Sequence, residues 1–428
     1  MSPAYVNCNN ELGNANANIG SRLAEWLSIN DMLYVTDRTK VNSLAHQALV
    51  PRWNAPGITT HDEQEQTMKR IGYIFEETVS IENLRAAHID GKEAIKKKKK
   101  KQRRTKMRRA MAWEANLEEN LARLHEQLIA GTYHPGEYHK KLVYEAGKWR
   151  EIWYTTEWDD QIVQRAIMRT LGAKLEKSMI HQTYASMKGR GTHRAVQDVW
   201  RLISRTLFAE NLWAHQSDFK KYYANIQHDR LKYRLNRKIK DRKMLALLHV
   251  FIDSFPNMQY LLEHPGATKD RGIPIGNIIS PLLANFFLDE FDHWAKEELK
   301  AYGYFRYADD ILGVFRTKDK ARDFRTALHD GSDELDLTLK PNEQLYPLRS
   351  RSIDFVGYRI SPHSVRLRKR NERKFRRDGE KFKRHPNKKL LQTLSARWGQ
   401  IKHLTHGGRL WFSILPRSIH QLNKETLT

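Results

Sequence analysis

Three aspartates stand where a carboxylate is ordinarily avoided. Asp218 closes the apolar stretch Leu212–Asp218 and precedes Phe219, and Asp309 and Asp310 lie side by side inside GYFRYADDILGVF, Gly303–Phe315. Adjacent carboxylates in apolar surroundings repel each other and lose hydration unless something neutralises them. A pair of hard divalent cations with oxygen ligands does so, and two such ions can clamp the attacking and leaving oxygens of a phosphoryl transfer. One carboxylate from a strand and one or two from a facing hairpin is the arrangement a two-metal nucleotidyl transferase needs. An Asp-Asp pair between strands is more often a tight solvated turn, but the flanking Phe305, Ile311, Leu312 and Val314 argue for a buried setting.

The elements that must position these residues follow from the spacing of apolar side chains. Leu117, Leu121, Leu124 and Leu128 predict an amphipathic helix over 112–130 that stops at Gly131. Tyr138–Tyr144 and Arg150–Thr155 read as strands around a turn at Glu145–Lys148. Helices are predicted over Asp159–Lys177, from about His228, over Met244–Phe255, over Pro281–Leu299 from a Ser-Pro start, and over Leu390–Leu404. Leu212–Asp218 and Ile353–Ile360 each read as a strand, and Gly303–Phe315 as a strand–turn–strand hairpin with its carboxylates at the tip. Residues 24–90 read as mixed helix with a loop around Pro51–Gly57. The sum is an α+β body with helical material at both ends and no internal repeat.

The chain has 428 residues, 75 Lys plus Arg against 50 Asp plus Glu, and a formal charge of +25. Two segments carry most of that excess: Lys96–Arg109 has 11 basic and no acidic residues, and Arg366–Lys389 has 13 basic and 3 acidic. A nearly neutral body with two basic arms suits a polyanion, most often nucleic acid. Lys96, Lys97, Lys98, Lys99, Lys100, Lys101, Arg103 and Arg104 in the first arm, and Arg366, Arg368, Lys369 and Arg370 in the second, are the candidate nucleic-acid contacts. Phe375 and Phe382 interleave with the second arm's charges, which favours a helical face on a nucleic-acid strand. The single cysteine, Cys8, excludes a disulfide scaffold and a Cys-rich zinc site. Residues 1–20 lack a signal-peptide pattern, and no apolar run approaches the roughly 20 residues that span a bilayer. A cytoplasmic address and no membrane partner are expected.

Further motifs surround the aspartates in a fixed order. These are Trp149-Arg150-Glu151-Ile152 with Asp160–Gln164, Tyr184–Val196 (YASMKGRGTHRAV), Asp218–Tyr223 (DFKKYY), Gly272–Asn285 (GIPIGNIISPLLAN), Tyr307–Asp310 (YADD), Leu337–Pro341 (LTLKP) and Phe355–Tyr358 (FVGY). In this order the segment resembles a bacterial reverse transcriptase over roughly residues 103–405. The resemblance implies a right-hand polymerase fold: fingers and a palm with an antiparallel sheet over 103–360, a basic helical thumb over 361–428, and an N-terminal extension over 1–102. It implies that Asp218, Asp309 and Asp310, with Phe219, bind two Mg²⁺, or Mn²⁺ in their place. It implies dNTP contacts at Lys148, Arg150, Tyr223, Gly276, Asn277 and Lys340, with Tyr223 crowding a ribose 2′-OH and Lys340 acting near the leaving pyrophosphate. Phe355, Val356, Gly357 and Tyr358 would grip the primer.

Within the family, Ile275 before Gly276, the KGRGTHRAV block, and Arg366–Arg370 with Trp398-Gly399 and Lys402-His403 resemble the diversity-generating retroelement group. That group copies a template RNA with errors at adenines. The Asn-rich Val6–Leu23 resembles the translated repeats of such elements. The implied partners are a template or non-coding RNA, dNTPs, the cDNA with its RNA–DNA hybrid, and a small basic accessory protein, in a bacterial or prophage setting. Ser280-Pro281 and Gln161 depart from that group and keep a second reading open, an antiphage-defence reverse transcriptase with a partner non-coding RNA. A catalytically inactive RNA-binding relative is a third reading, against which all three aspartates stand.

Overall fold

The structure, a computed structural model, describes residues 70–96, 100–145 and 147–414. The Asn-rich start, Cys8, the loop around 51–57, Lys97–Lys99 and the last residues from 415 lie outside the described residues. Of Lys100 and Lys101 only the helical backbone is described.

The chain enters through helices α1 (Phe75–Val79), α2 (Ile81–Lys96), α3 (Lys100–Glu114) and α4 (Leu117–Ala130). The first basic arm is therefore largely helix. The single helix expected over 112–130 is instead broken between Glu114 and Leu117. There the Asn120 amide donates to the Trp113 carbonyl at 2.9 Å, and the Trp113 indole is held by Asp159 at 2.6 Å. Gly131 ends α4 as expected, with φ at 70°.

Strands β1 (Tyr138–Glu145) and β2 (Lys148–Thr155) form an antiparallel hairpin with Tyr138 opposite Thr155. Helix α5 (Trp158–Ile167) runs on through a π turn at Met168–Gly172 into α6 (Ala173–Glu176), matching the expected span. Then come α7 (Thr192–Ser204), β3 (Trp213–Asp218), α8 (Tyr222–Asn225), α9 (His228–Lys238), α10 (Arg242–Asp253) and α11 (Met258–Glu263).

The helix expected over Pro281–Leu299 is three pieces: α12 (Ser280–Phe287), α13 (Asp289–His293) and a π turn at Trp294–Glu298. The physical cause is competition for carbonyls. The Tyr222 hydroxyl takes the Ala284 carbonyl and the Arg234 guanidinium takes that of Phe287, so the Leu288 N–H turns to Asn285 instead, at 3.2 Å.

Strands β4 (Gly303–Tyr307) and β5 (Asp310–Phe315) are the expected hairpin. Helix α14 (Lys318–Glu334) and β6 (Gln344–Pro347) complete a four-stranded antiparallel sheet of order β4-β5-β3-β6. The expected strand over Ile353–Ile360 is a tight hairpin, β7 (Ile353–Phe355) and β8 (Tyr358–Ser361), extended by β9 (Ser364–Leu367). Helices α15 (Lys369–Arg384), α16 (Lys388–Ile401) and α17 (Gly407–Ile414) close the described chain.

Period-2 alternation divides the palm sheet between two cores. Ile311 and Phe315 face one core with Phe219, Phe291 and Phe324. Leu312, Val314, Ala214 and Phe305 face the other, together with α7, the β7–β9 sheet and α15–α17. Phe375 and Phe382 belong to this second core, Phe375 stacking on Trp411 at 5.6 Å. They are not available to stack on a nucleic-acid strand, which corrects the reading of the second arm; its exposed cations remain.

Candidate active site

The register of the palm sheet brings the aspartates together. Asp218, the last residue of β3, is paired with Asp310, the first of β5. Asp309 occupies the turn between Tyr307 and Asp310, and its carbonyl accepts from the Phe219 N–H at 3.3 Å. The turn is tight: Ala308 has φ of 55°. On the other side of Asp218, its carbonyl takes the Lys340 N–H at 2.8 Å, and the Lys340 ammonium pairs with its carboxylate. Lys340 thus stands among the carboxylates.

Electrostatics mark this cluster. Burial raises the Asp309 carboxyl, with Asp218 adding to the rise while Lys340 and Arg150 oppose it. Burial likewise raises Asp310, which keeps solvent access at the cleft, and Asp309 and Asp218 raise it further. Among the described residues no three His, Cys, Asp or Glu side chains are gathered as a ready metal cluster. These carboxylate oxygens are nevertheless the donor type a hard cation takes: Asp218 disfavours charge on Asp309, both disfavour it on Asp310, and Lys340 opposes these effects.

The remaining expected residues divide into those at the cleft and those beneath it. Lys148 and Arg150 are exposed at the start of β2, and the charge of Arg150 is felt at Asp309. Trp149 between them is also exposed and meets Tyr144 edge-on at 5.2 Å. Tyr223 is half-buried. Burial first, then the charge of Asp309, pushes its hydroxyl up to about 12. The Phe219 ring is fully buried against Tyr222 and Phe291, so only its main chain faces the site.

Gly276 and Asn277 sit between fingers and palm. A Cβ on Gly276 would stand 2.3 Å from the Trp153 carbonyl oxygen, which instead accepts the Gly276 N–H at 3.0 Å. The close approach that the glycine permits is to β2. Asn277 is buried and donates to the Tyr138 hydroxyl at 2.8 Å. The rings of Phe355 and Tyr358 lie in the second core; what reaches the surface is the turn between them, with Val356 at φ 43° and Gly357 at φ 92°. Arg368 clasps this turn, its N–H on the Gly357 carbonyl at 3.2 Å and its guanidinium on Asp354. Arg366, Lys369 and Arg370 are exposed beside it, and Lys96, Arg103 and Arg104 are exposed on the entry helices.

One part of the site escaped the sequence reading. Arg306, fully buried in β4, donates to both Asp292 carboxylate oxygens, to Asn285 at 3.1 Å and to the Ala308 carbonyl at 2.8 Å. Asp292 accepts further from Tyr304 at 2.7 Å and Thr183 at 2.9 Å. Arginine inside the apolar run Tyr304–Tyr307, with Asp289, Glu290 and Asp292 following the largely apolar residues 282–288, was the signal available.

A palm sheet that gathers acidic residues at one end, under a hairpin carrying Lys148 and Arg150 and beside a basic helical thumb, defines a polymerase of the right-hand class. Residues 138–360, just over half of the chain, match the family described as reverse transcriptase (RNA-dependent DNA polymerase). The chain belongs to the reverse transcriptase family, and by that membership is an RNA-directed DNA polymerase.

Protein YkfC of Escherichia coli K12 is 24% identical over 290 residues, covering 58% of this chain and 72% of YkfC. The group II intron-encoded protein LtrA of Lactococcus lactis is 29% identical over 179 residues; the match covers 41% of this chain and only 28% of LtrA. Among solved structures, apo telomerase from Candida tropicalis is similar over 54% of this chain and 48% of its own, at TM-score 0.42 and 12% identity. Among the described residues no helix is long and apolar enough to cross a membrane.

Proposed function

We propose that this chain extends a primer with dNTPs on an associated RNA template, by two-metal catalysis at Asp218, Asp309 and Asp310. The register pairing of Asp218 with Asp310, with Asp309 in the turn beside them, carries this reading. Two Mg²⁺, or Mn²⁺, held there would lower the charge on the primer 3′-oxygen and on the leaving pyrophosphate. The chain's own residues do the rest. Lys148 and Arg150 hold the triphosphate by charge. Tyr223 limits room beside the sugar, and Gly276 and Asn277 fix the fingers over the palm. The 3′-hydroxyl releases its proton to solvent water as its oxygen forms the bond to the α-phosphorus and the bond to pyrophosphate breaks, and Lys340, moving off Asp218, supplies a proton to the departing group and is reprotonated from solvent. The turn at Val356-Gly357 seats the primer, with Phe355 and Tyr358 anchoring it from below. We place fingers and palm over 103–360, the thumb from 361 and an extension over 1–102, in a cytoplasmic, bacterial or prophage setting.

The biological role we propose is that of a diversity-generating retroelement, with a small basic accessory protein and substitutions at template adenines. Ile275, exposed on the loop that docks on β2, supports it, as does the Asn-rich start. Ser280-Pro281 and Gln161 favour the antiphage-defence reading. Sequencing the cDNA made in cells, together with the flanking DNA, separates them. Copies of a nearby repeat with changes at adenines are expected. Faithful or repetitive cDNA from an adjacent structured RNA, rising on phage infection, would overturn the retroelement role in favour of defence.

A further inference from the structure

We propose that a groove between the entry strap at residues 70–73 and helix α10 binds one nucleoside-phosphate unit, apart from the polymerase site. It goes beyond the polymerase reading, since none of its lining residues comes from the palm sheet. Arg242, Leu245, Ala246 and His249 recur at i, i+3, i+4 and i+7, so they share one face of α10. Lys240 stands just before that face. Arg70 reaches in from the strap, which is pinned by the Lys240 N–H on the Ile71 carbonyl at 2.8 Å. The Arg70 guanidinium is fixed by the carbonyls of Asn236, at 2.6 Å, and Ile239, at 3.1 Å.

The groove encloses about 530 Å³, within the usual range of small-ligand sites and more than a phosphate alone needs. Leu245 and Ala246 give it an apolar floor on which a base or sugar can rest. Three cations border it, and among the described residues no carboxylate lines it. Asp241, the only acidic residue between 236 and 249, turns inward: its carboxylate accepts the N–H groups of Ile74 and Phe75, each at 2.9 Å, and of Met244. Asp241 therefore does not neutralise the groove; the Lys240 ammonium lies 4.8 Å from the centre of the Tyr73 ring, and no carboxylate pairs with it among the described residues. His249 ends this helix face and lines the groove beside Ala246. A cationic rim and an apolar floor together fit a nucleoside phosphate, either one unit of an RNA strand or a free nucleotide.

The test uses the full chain with labelled oligo(U) RNA and with ATP as the free nucleotide. Lys240 and Arg242 are exposed, so the double reversal K240E/R242E should leave the unfolding midpoint in place. It is expected to weaken oligo(U) binding by at least about tenfold at low salt. Loss of the one phosphate contact should also lower the slope of log affinity against log salt by about 0.7. The charge-preserving Ala246→Trp fills the floor and is expected to weaken binding as well. Wild-type RNA affinity in Ala246→Trp would overturn the proposal, since the cations would then act only as diffuse surface charge; so would an unchanged salt slope in the double reversal. Displacement of oligo(U) by ATP, lost in Ala246→Trp, would assign the site to a free nucleotide; no displacement would assign it to a strand. Binding is the readout, so a failed polymerase assay cannot produce either result.

Discussion

Arg306 and Asp292 meet at 2.6 Å with neither side chain exposed to solvent, and the same guanidinium holds the carbonyl of Ala308, the residue before Asp309. The turn that carries Asp309 thus rests on a buried ion pair. Burial opposes the arginine's charge, but Asp292 more than offsets it and keeps the guanidinium charged. A buried pair adds little net stability over an apolar replacement, whereas removal of one partner leaves an uncompensated charge.

Asp292→Asn should therefore cost about 3–5 kcal/mol of unfolding free energy, measured in urea. The double change Arg306→Met with Asp292→Leu should recover much of that loss. It should not recover DNA synthesis, because the hold on Ala308 is gone. A double variant as active as the wild type would show that the turn needs no such support.

Asp309→Asn and Asp310→Asn are each expected to abolish DNA synthesis while RNA binding stays close to wild type. The charge removed is a metal ligand in this reading and not an RNA contact. Primer extension and RNA affinity are measured on the same preparations; normal extension by both variants would remove the two-metal assignment.

Lys340 and a cation compete for the Asp218 carboxylate. Lys340→Met should lower the metal-free unfolding midpoint, since repulsion among the carboxylates is then unrelieved. It should also enlarge the upward shift of that midpoint on adding Mg²⁺, because a ligand that binds only the native state stabilises it by mass action. Equal Mg²⁺ shifts in variant and wild type would mean that Lys340 does not occupy the metal's place.

Gly276→Ala tests the docking of fingers on palm. The added methyl would meet the Trp153 carbonyl oxygen and the Tyr154 Cβ, at 2.3 and 2.6 Å, so the backbone must part. A loss of about 1–3 kcal/mol in stability is expected, together with a raised KM for dNTP as Lys148 and Arg150 shift. A variant with unchanged stability and KM would show that the contact is dispensable.

The palm hairpin was legible in the sequence because two acidic residues interrupt an otherwise apolar run. Apolar residues on both sides of Asp309-Asp310 define the hairpin, and the spacing places Asp218 on its neighbour. Turn chemistry was less legible. Val356 takes a left-handed conformation that β-branched residues seldom adopt, so Ile353–Ile360 reads as one strand rather than two. Phe375 and Phe382 resemble surface aromatics because their neighbours in sequence are charged; Trp411, on which Phe375 stacks, is far along the chain. Arg306 and Asp292 were missed for the related reason that charge ordinarily signals surface, and only the fold reveals that each is the other's solvent.

The second core has a consequence for how such a chain can change over time. Leu312 and Val314 of the palm share it with Leu394, Ile401 and Trp411 beyond it, and Tyr358 joins the two through the Gln400 carbonyl at 3.3 Å. The thumb is therefore not a cassette. It cannot be traded between relatives without the underside of the palm that receives it, so variation that adapts the grip on nucleic acid must arise on the exposed basic surface or travel in matched pairs across that seam.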